Sequence, residues 1–310
     1  MAKKKPYRFA LYLLIRGLAG IIYILPRRIA LALARMGGWL AFWIVWRQQR
    51  KALENLRRVY ADVKSEAEIR TIAIRVFENL TQTGTEVLQF TKLTAGDLDK
   101  IVDANQAFRV YDEILAQGKG LISVTAHLGN WELLAGVFGM KGYKGGVLAR
   151  RIYYERYNEW IVGLRRSLKV PTIYRDDASR EILTLLAKNE IVGLLPDQDV
   201  EGLKGIFVPF FGRPAYTTIA PARLSIASGA PVVPNFLVRV PGDRYKLVLG
   251  EVIRPDGGMP RDEAVKKITE QWMQQFEKMI REYPEQWAWM HHRWKTTPEM
   301  KIPKVLVRNL

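Results

Sequence analysis

The chain of 310 residues contains no cysteine and only three histidines, His127, His291 and His292. The first absence excludes disulfides, thiolate zinc sites and a thiol nucleophile. The second argues against a His-rich metal site and leaves few places for imidazole chemistry. Familiar motifs are missing too. There is no G-x-S-x-G elbow, because the stretch from Leu224 to Gly229 lacks the first glycine. Gly118-Lys119-Gly120 precedes its apolar run instead of following it, so it is no dinucleotide fingerprint, and no Walker A loop exists. Acids are nearly absent from the first sixty positions, where Glu54 stands alone against thirteen Lys and Arg. That segment therefore carries twelve of the seventeen net positive charges.

The same basic segment holds the two longest apolar stretches, Tyr7–Leu25 and Ile29–Trp46, separated by Pro26-Arg27-Arg28. At about 1.5 Å per helical residue, each approaches the ~30 Å hydrocarbon core of a bilayer. Arg8, Arg16 and Arg35 interrupt them, while Trp39, Trp43 and Trp46 suit a membrane interface. A cleaved signal peptide fits poorly, since the stretch is long and no A-x-A-type site follows. Nucleic acid would explain the charge but not the apolar runs; anionic membrane lipids explain both. Lys3–Lys5 and the Arg47–Arg58 cluster both favour the cytoplasmic side, so a helical hairpin or an in-plane anchor is expected over one clean crossing. The other reading is a pair of core helices.

We divide the chain into a membrane anchor over residues 1–60 and an α/β domain over 61–310. Ser65 and Glu68 form a capping box that opens a helix over 65–90, and a second helix is expected over 106–117. Short apolar runs at Leu121–Ala126, Gly146–Arg150, Val170–Tyr174, Ile191–Leu195, Val232–Val238 and Tyr245–Glu251 read as strands. Helical segments separate them at 131–139, 154–168, 178–188 and 217–228, with a long one at 260–283. The alternation implies a mixed, mostly parallel sheet flanked by helices. Pro241-Gly242-Asp243 reads as a hairpin turn.

His127 follows the Leu121–Ala126 run, at a strand end of the kind where α/β sheets place their chemistry. Asn130 is a good N-cap for a helix starting near Trp131. On one continuous helix His127 and Glu132 would lie about 140° apart. A turn at Gly129 removes that obstacle and lets Glu132 reach back to the imidazole. A carboxylate on Nδ1–H would set the tautomer and raise the basicity of Nε2. Backbone N–H groups at the helix N-terminus would face a developing oxyanion or a phosphate. Without a protein nucleophile, this pair suits deprotonation of a substrate hydroxyl, and so acyl transfer from an activated donor. The alternative is a histidine that simply caps a carbonyl.

An ordered set of segments now carries a resemblance. His127…Glu132, Arg150-Arg151, Pro196-Asp197-Gln198-Asp199, the run from Gly205 to Gly212, Pro231-Val232-Val233-Pro234 and the tail from Pro284 to Lys295 resemble the lysophospholipid acyltransferase superfamily. More narrowly, they are similar to bacterial lipid A biosynthesis (lauroyl/myristoyl) acyltransferases. The resemblance implies an enzyme of the bacterial inner membrane with its site facing the cytoplasm. It implies acyl carrier protein as donor, a lipid A precursor as acceptor, and no metal or cofactor beyond the carrier's phosphopantetheine. It assigns His127 and Glu132 to a catalytic dyad and Arg150, with Arg151, to acidic substrate groups, a role that suits the bidentate guanidinium. Asn130, Asp197 and Asp199 are placed near the site, the two aspartates as its organisers, since two carboxylates are few for a hard cation. Phe207 and its neighbours up to Phe211 read as an acyl groove or as ordinary core. His291 and His292 read as phosphate or lipid contacts, or as part of a tail packing its tryptophans. The chain lacks an Asn-Pro pair five residues after Arg150, where related sequences often carry one. Two other readings stand beside this one: an acyl-CoA-dependent phosphatidylinositol mannoside or lysophospholipid acyltransferase, and a non-enzymatic basic protein that binds membranes or nucleic acid.

Overall fold

A computed structural model describes residues 7–175, 178–200 and 202–300. Lys3, Lys4 and Lys5 lie outside the described residues. Four helices open the chain: α1 (Tyr7–Ile24), α2 (Arg27–Ile44), α3 (Trp46–Tyr60) and α4 (Glu66–Leu88). The expected capping box is present at the start of α4, with Ser65 and Glu68 bonded reciprocally. After α5 (Ala95–Ile101), β1 (Val102–Asp103) and α6 (Asn105–Leu115) the alternation begins. It runs β2 (Leu121–Val124), α7 (Trp131–Met140), β3 (Gly145–Ala149), α8 (Glu155–Ser167), β4 (Thr172–Tyr174), α9 (Ala178–Ala187) and β5 (Ile191–Leu194). A hairpin of β6 (Gly205–Phe210) and β7 (Arg213–Thr218) follows, then α10 (Ala220–Ser228), β8 (Val232–Val240), β9 (Arg244–Leu249) and α11 (Arg261–Glu282).

Seven strands form the central sheet in the order β1-β9-β8-β2-β5-β3-β4, parallel at every step except β8–β9. Asp243, with positive φ, and Gly242 make the turn of that antiparallel pair. Strands buried on both faces read as continuous apolar runs, and their alternate residues serve opposite layers. Ile122, Val124, Val192 and Leu194 pack with Ile182 of α9 and Trp272 and Phe276 of α11. Leu121 and Ile191 pack with Tyr111 of α6 and Leu133 and Val137 of α7. The β6–β7 hairpin, absent from the sequence reading, turns at Phe211 and Gly212, both with positive φ. Pro209 and Pro214 face one another within it, which a two-stranded sheet tolerates because neither needs an interior ladder N–H.

The N-terminal helices differ in how they meet this body. Phe42 of α2 and Ala52, Leu56 and Tyr60 of α3 are buried in the same core as the sheet. Among the described residues α1 is the one helix long and apolar enough to cross a membrane, and only Ala19 of it is buried. The pair α2–α3 is bent by 89° at Val45. The arginines that interrupt the apolar stretches have partners in the domain: Arg8 lies 5.2 Å from the Tyr153 ring, Arg16 4.7 Å from Trp160, and Arg35 3.4 Å from Asp243. Tyr12 packs against Tyr154, Tyr157 and Trp160. The joint between α1 and α2 is plugged from the end of α4, where its C-cap Gln89 donates to the carbonyls of Ile22 and Leu25 and Glu86 accepts from Arg27.

One glycine is required by the chain's path into the site. Gly129 has φ +64°, and a Cβ on it would run into the Leu237 carbonyl of β8. Gly129→Ala is therefore expected to lower stability by more than ~2 kcal/mol, combining left-handed strain with backbone overlap. Thermal unfolding in detergent checks this; an unchanged midpoint would refute it.

Candidate active site

Two strand ends build the site, as expected where neighbouring parallel strands release their chains. After β2 the chain runs through Thr125 and Ala126 to His127; after β5, paired with β2, it runs through Leu195 and Pro196 to Asp197. Asp197 Oδ1 lies 2.8 Å from His127 Nδ1, and its Oδ2 accepts from the His127 backbone N–H at 2.8 Å and from Trp287 Nε1 at 2.9 Å. Asp197 is thus buried with a hydrogen bond to each oxygen. Burial alone would raise its pKa, but the charge and hydrogen bond of His127, with His291 and Trp287, hold it well below the usual carboxylate range. For His127 burial favours the neutral ring, and the charge and hydrogen bond of Asp197, with the charge of Glu132, overcome it and raise the pKa.

The imidazole's carboxylate partner is therefore Asp197, not Glu132 as the five-residue spacing suggested. Asn130 caps α7 by accepting from Leu133 N–H at 2.9 Å, which sets Glu132 in the first turn, where it meets Arg165 of α8. The pair is bidentate at 2.7 and 2.8 Å. Glu132 still acts on His127 through its charge. Arg165 carried no signal in the sequence, because its partner lies thirty-three residues away on another helix.

Other expected site residues occupy different stations. Asn130 is fully buried and gives its amide N–H groups to Glu86 Oε2 at 2.9 Å and Tyr245 Oη at 3.3 Å, so it serves the helix start instead of facing a ligand. Asp199 accepts from Thr296 N–H at 2.7 Å and Oγ1 at 3.1 Å, tying the loop after β5 to the tail. Arg150 is exposed at the end of β3; Arg151 is exposed too, 3.7 Å from Glu155 and over the Tyr174 ring. Phe207 packs edge-on against Tyr216 within the β6–β7 hairpin, and Phe210 is core beside Trp287 and Trp294. The structure hydrogen-bonds His127 to Asp197, with Glu132 acting on the ring through its charge alone, and Phe207, Arg150 and Arg151 stand outside that pair.

The tail completes the site. Ala288 N–H donates to the His127 carbonyl at 2.9 Å and Gly129 N–H to the Gln286 carbonyl at 3.0 Å, so residues 286–288 strap the histidine loop. Trp131 stands 5.1 Å from His127 ring to ring and His291 stands 5.0 Å from it. Trp131 also lines a partly open, mostly apolar cavity that runs beneath α7 over β2, β5 and β3, with walls from Thr125, Leu134, Phe138, Val147 and Leu195. His291 is neutral at physiological pH, with a pKa pushed down to about 4 by burial and by His127 and His292, against the pull of Asp197.

An imidazole with an ionised partner on Nδ1 and no Ser or Thr hydroxyl bonded to it, among the described residues, is equipped for general-base chemistry on a bound substrate. It stands at a strand end beside an apolar cavity on a parallel sheet, the setting of an enzyme that activates a hydroxyl or a water for attack. The chain belongs to the bacterial lipid A biosynthesis acyltransferase family, whose pattern matches residues 2–296, and it is an acyltransferase. It is 29% identical over 292 residues, covering 91% of this chain and 90% of the relative, to the lipid A biosynthesis lauroyltransferase of Escherichia coli. It is 29% identical over 184 residues, 59% of this chain and 58% of the relative, to the lipid A biosynthesis palmitoleoyltransferase of the same organism. A phosphatidylinositol mannoside acyltransferase of Mycolicibacterium smegmatis is 25% identical over 249 residues, 78% of this chain and 79% of the relative.

A base must be unprotonated to act, so turnover is expected to rise with pH through a midpoint above the ~6.5 of free imidazole. In Asp197→Asn the larger raising influence is gone and only the charge of Glu132 remains against burial, so the midpoint moves down and the plateau falls about 10²–10⁴-fold. A pH–rate series on both proteins tests this, and an unmoved midpoint would argue against Asp197 as the partner that matters.

Proposed function

We propose that this protein esterifies a hydroxyl of a lipid A precursor with a fatty acyl chain delivered as a thioester on acyl carrier protein, at a membrane surface. The observation that carries the reading is the His127–Asp197 pair beside an apolar cavity that shares Trp131 with it. His127 Nε2 takes the acceptor's proton; Asp197 fixes the tautomer and stabilises the imidazolium; the cavity beneath α7 takes the acyl chain. Glu132, held by Arg165, adds negative charge that favours the imidazolium and stands with His127 as the second member of the dyad. All proton transfers fall to His127, so the reaction is written without a metal or a resident organic cofactor.

The exposed apolar face of α1 and α2 supports seating on the inner membrane, with the site on the cytoplasmic side, where an acyl carrier protein is found. Trp39, Trp43 and Trp46 are exposed beside Ile44 and Val45 at the α2–α3 bend, and the basic Arg47 and Arg50 follow directly. Apolar insertion and attraction to anionic lipid then act together.

A mass-spectrometric assay in detergent tests the reading with acyl carrier protein donors of several chain lengths and a tetra-acylated lipid A precursor. A gain of one acyl group, lost in His127→Ala, is expected. The likeness to phosphatidylinositol mannoside acyltransferases makes acyl-CoA with a mannosylated phosphatidylinositol the second arm, and product only there would replace the lipid A reading.

A further inference from the structure

The loop after β5 places one more side chain at the imidazole. Gln198 Nε2 lies 3.0 Å from His291 Nε2, and 3.2 and 3.3 Å from His127 Nδ1 and Nε2. An atom equally far from both ring nitrogens and in the ring plane would overlap Cε1. The amide therefore sits over the face of the His127 ring, and the in-plane lone pair of Nε2 stays open to a substrate proton. Two nitrogens 3.0 Å apart need one donor and one acceptor. Neutral His291 supplies the acceptor at Nε2, so one amide N–H is committed to it. The reverse amide orientation would set a carbonyl oxygen beside the electron-rich Nε2 of His127, which disfavours it. Among the described residues the second N–H has no acceptor except the imidazole face, and it stands beside the atom that receives the proton.

This amide is preorganised from both sides. Asp197 before it is bonded to His127 and Trp287, and Asp199 after it is bonded to Thr296. The His291 carbonyl accepts from Asn55 of α3 at 2.8 Å, which holds the second imidazole in place.

We propose that Gln198 is a further catalytic residue, the side-chain donor to the oxyanion, and that His291 is the positioning residue that sets its orientation. The proposal rests on acyl transfer with His127 as base. In that reaction the acceptor oxygen bonds to the thioester carbonyl carbon while its proton passes to His127 Nε2. The carbonyl electron pair moves onto oxygen, where the free N–H of Gln198 meets it. The oxyanion then collapses, the carbon–sulfur bond breaks, and the departing sulfur takes the proton from His127. The products are one ester and one thiol. Nothing is oxidised or reduced.

Steady-state kinetics of the full chain in detergent, with lauroyl-acyl carrier protein and lauroyl-CoA as donors and both acceptors above, test it. Removing one such donor from a preorganised site lowers kcat by about 10²–10³-fold. Gln198→Ala and the isosteric Gln198→Glu are expected to show that loss, with KM for donor and acceptor within about twofold and an unchanged thermal midpoint. His291→Ala is expected to lose about tenfold in kcat, and the double variant Gln198→Ala/His291→Ala to be no slower than Gln198→Ala alone, because both act through one hydrogen bond. A folded Gln198→Ala with wild-type kcat, beside an inactive His127→Ala, would overturn the proposal and leave the oxyanion to the backbone N–H groups of α7. Losses that multiply in the double variant would remove His291 from the positioning role. Wild-type protein inactive on every acceptor, or His127→Ala as active as wild type, would instead sink the underlying reading.

Discussion

The buried carboxylate of Asp197 is the interaction on which the site depends. A charge taken out of water is costly unless it is paired and hydrogen-bonded, and Asp197 meets that demand with three donors from two parts of the chain, the backbone and ring of His127 and the indole of Trp287. It therefore joins the strand end after β2, the strand end after β5 and the C-terminal tail. Loss of any one donor would leave the other two around an under-satisfied charge. The same contact that raises the basicity of His127 also fixes where the histidine loop lies.

A second buried anion plays the corresponding structural part at the other side of α7. Glu86 of α4 accepts from Arg27 at the α1–α2 joint, from Arg239 of β8 at 2.9 Å, from Tyr245 and from the N-cap Asn130. Its two arginine partners neutralise it, which permits burial. The outcome is a continuous polar path from the root of the apolar N-terminal helices to the start of the helix that bears Glu132. Arg293 is the converse case, a fully buried guanidinium bonded to the Tyr216 carbonyl and Thr217 Oγ1 at 2.7 and 2.5 Å. Burial lowers its pKa to about 10, against the pull of Asp197 and Asp199, so it stays charged and adds positive potential beneath the two aspartates.

The tail explains itself in these terms. Its aromatic residues are partners of the site as well as filler of the core: Trp287 bonds Asp197, Trp289 packs on Tyr60 and Phe211, and Gln286 holds both Gly129 and Arg239. The anchor arginines show the same economy. On paper Arg8, Arg16 and Arg35 count against a membrane segment; in the fold each has an aromatic or acidic partner on the domain. The exposed surface of α1 and α2 is left mainly to leucine, isoleucine and aromatic residues.

Much of this was legible from residue order alone, because it is local. The two N-terminal helices, the Ser65–Glu68 capping box, the Asn130 cap, the alternation of strands and helices and the turn at Asp243 all depend on side chains within a few positions of one another. His127 stood out because it was rare and lay at a strand end. The β6–β7 hairpin escaped because Pro209 and Pro214 hid its alternation, and its turn rests on a positive φ at Phe211 that no residue preference announces. What only tertiary structure decided was partnership. Glu132 is five residues from His127 yet pairs with Arg165, while Asp197 is seventy residues away and takes the imidazole. Hydrogen bonds are satisfied by the donors that folding brings within 3 Å. Sequence distance says nothing of which strand ends a parallel sheet sets side by side.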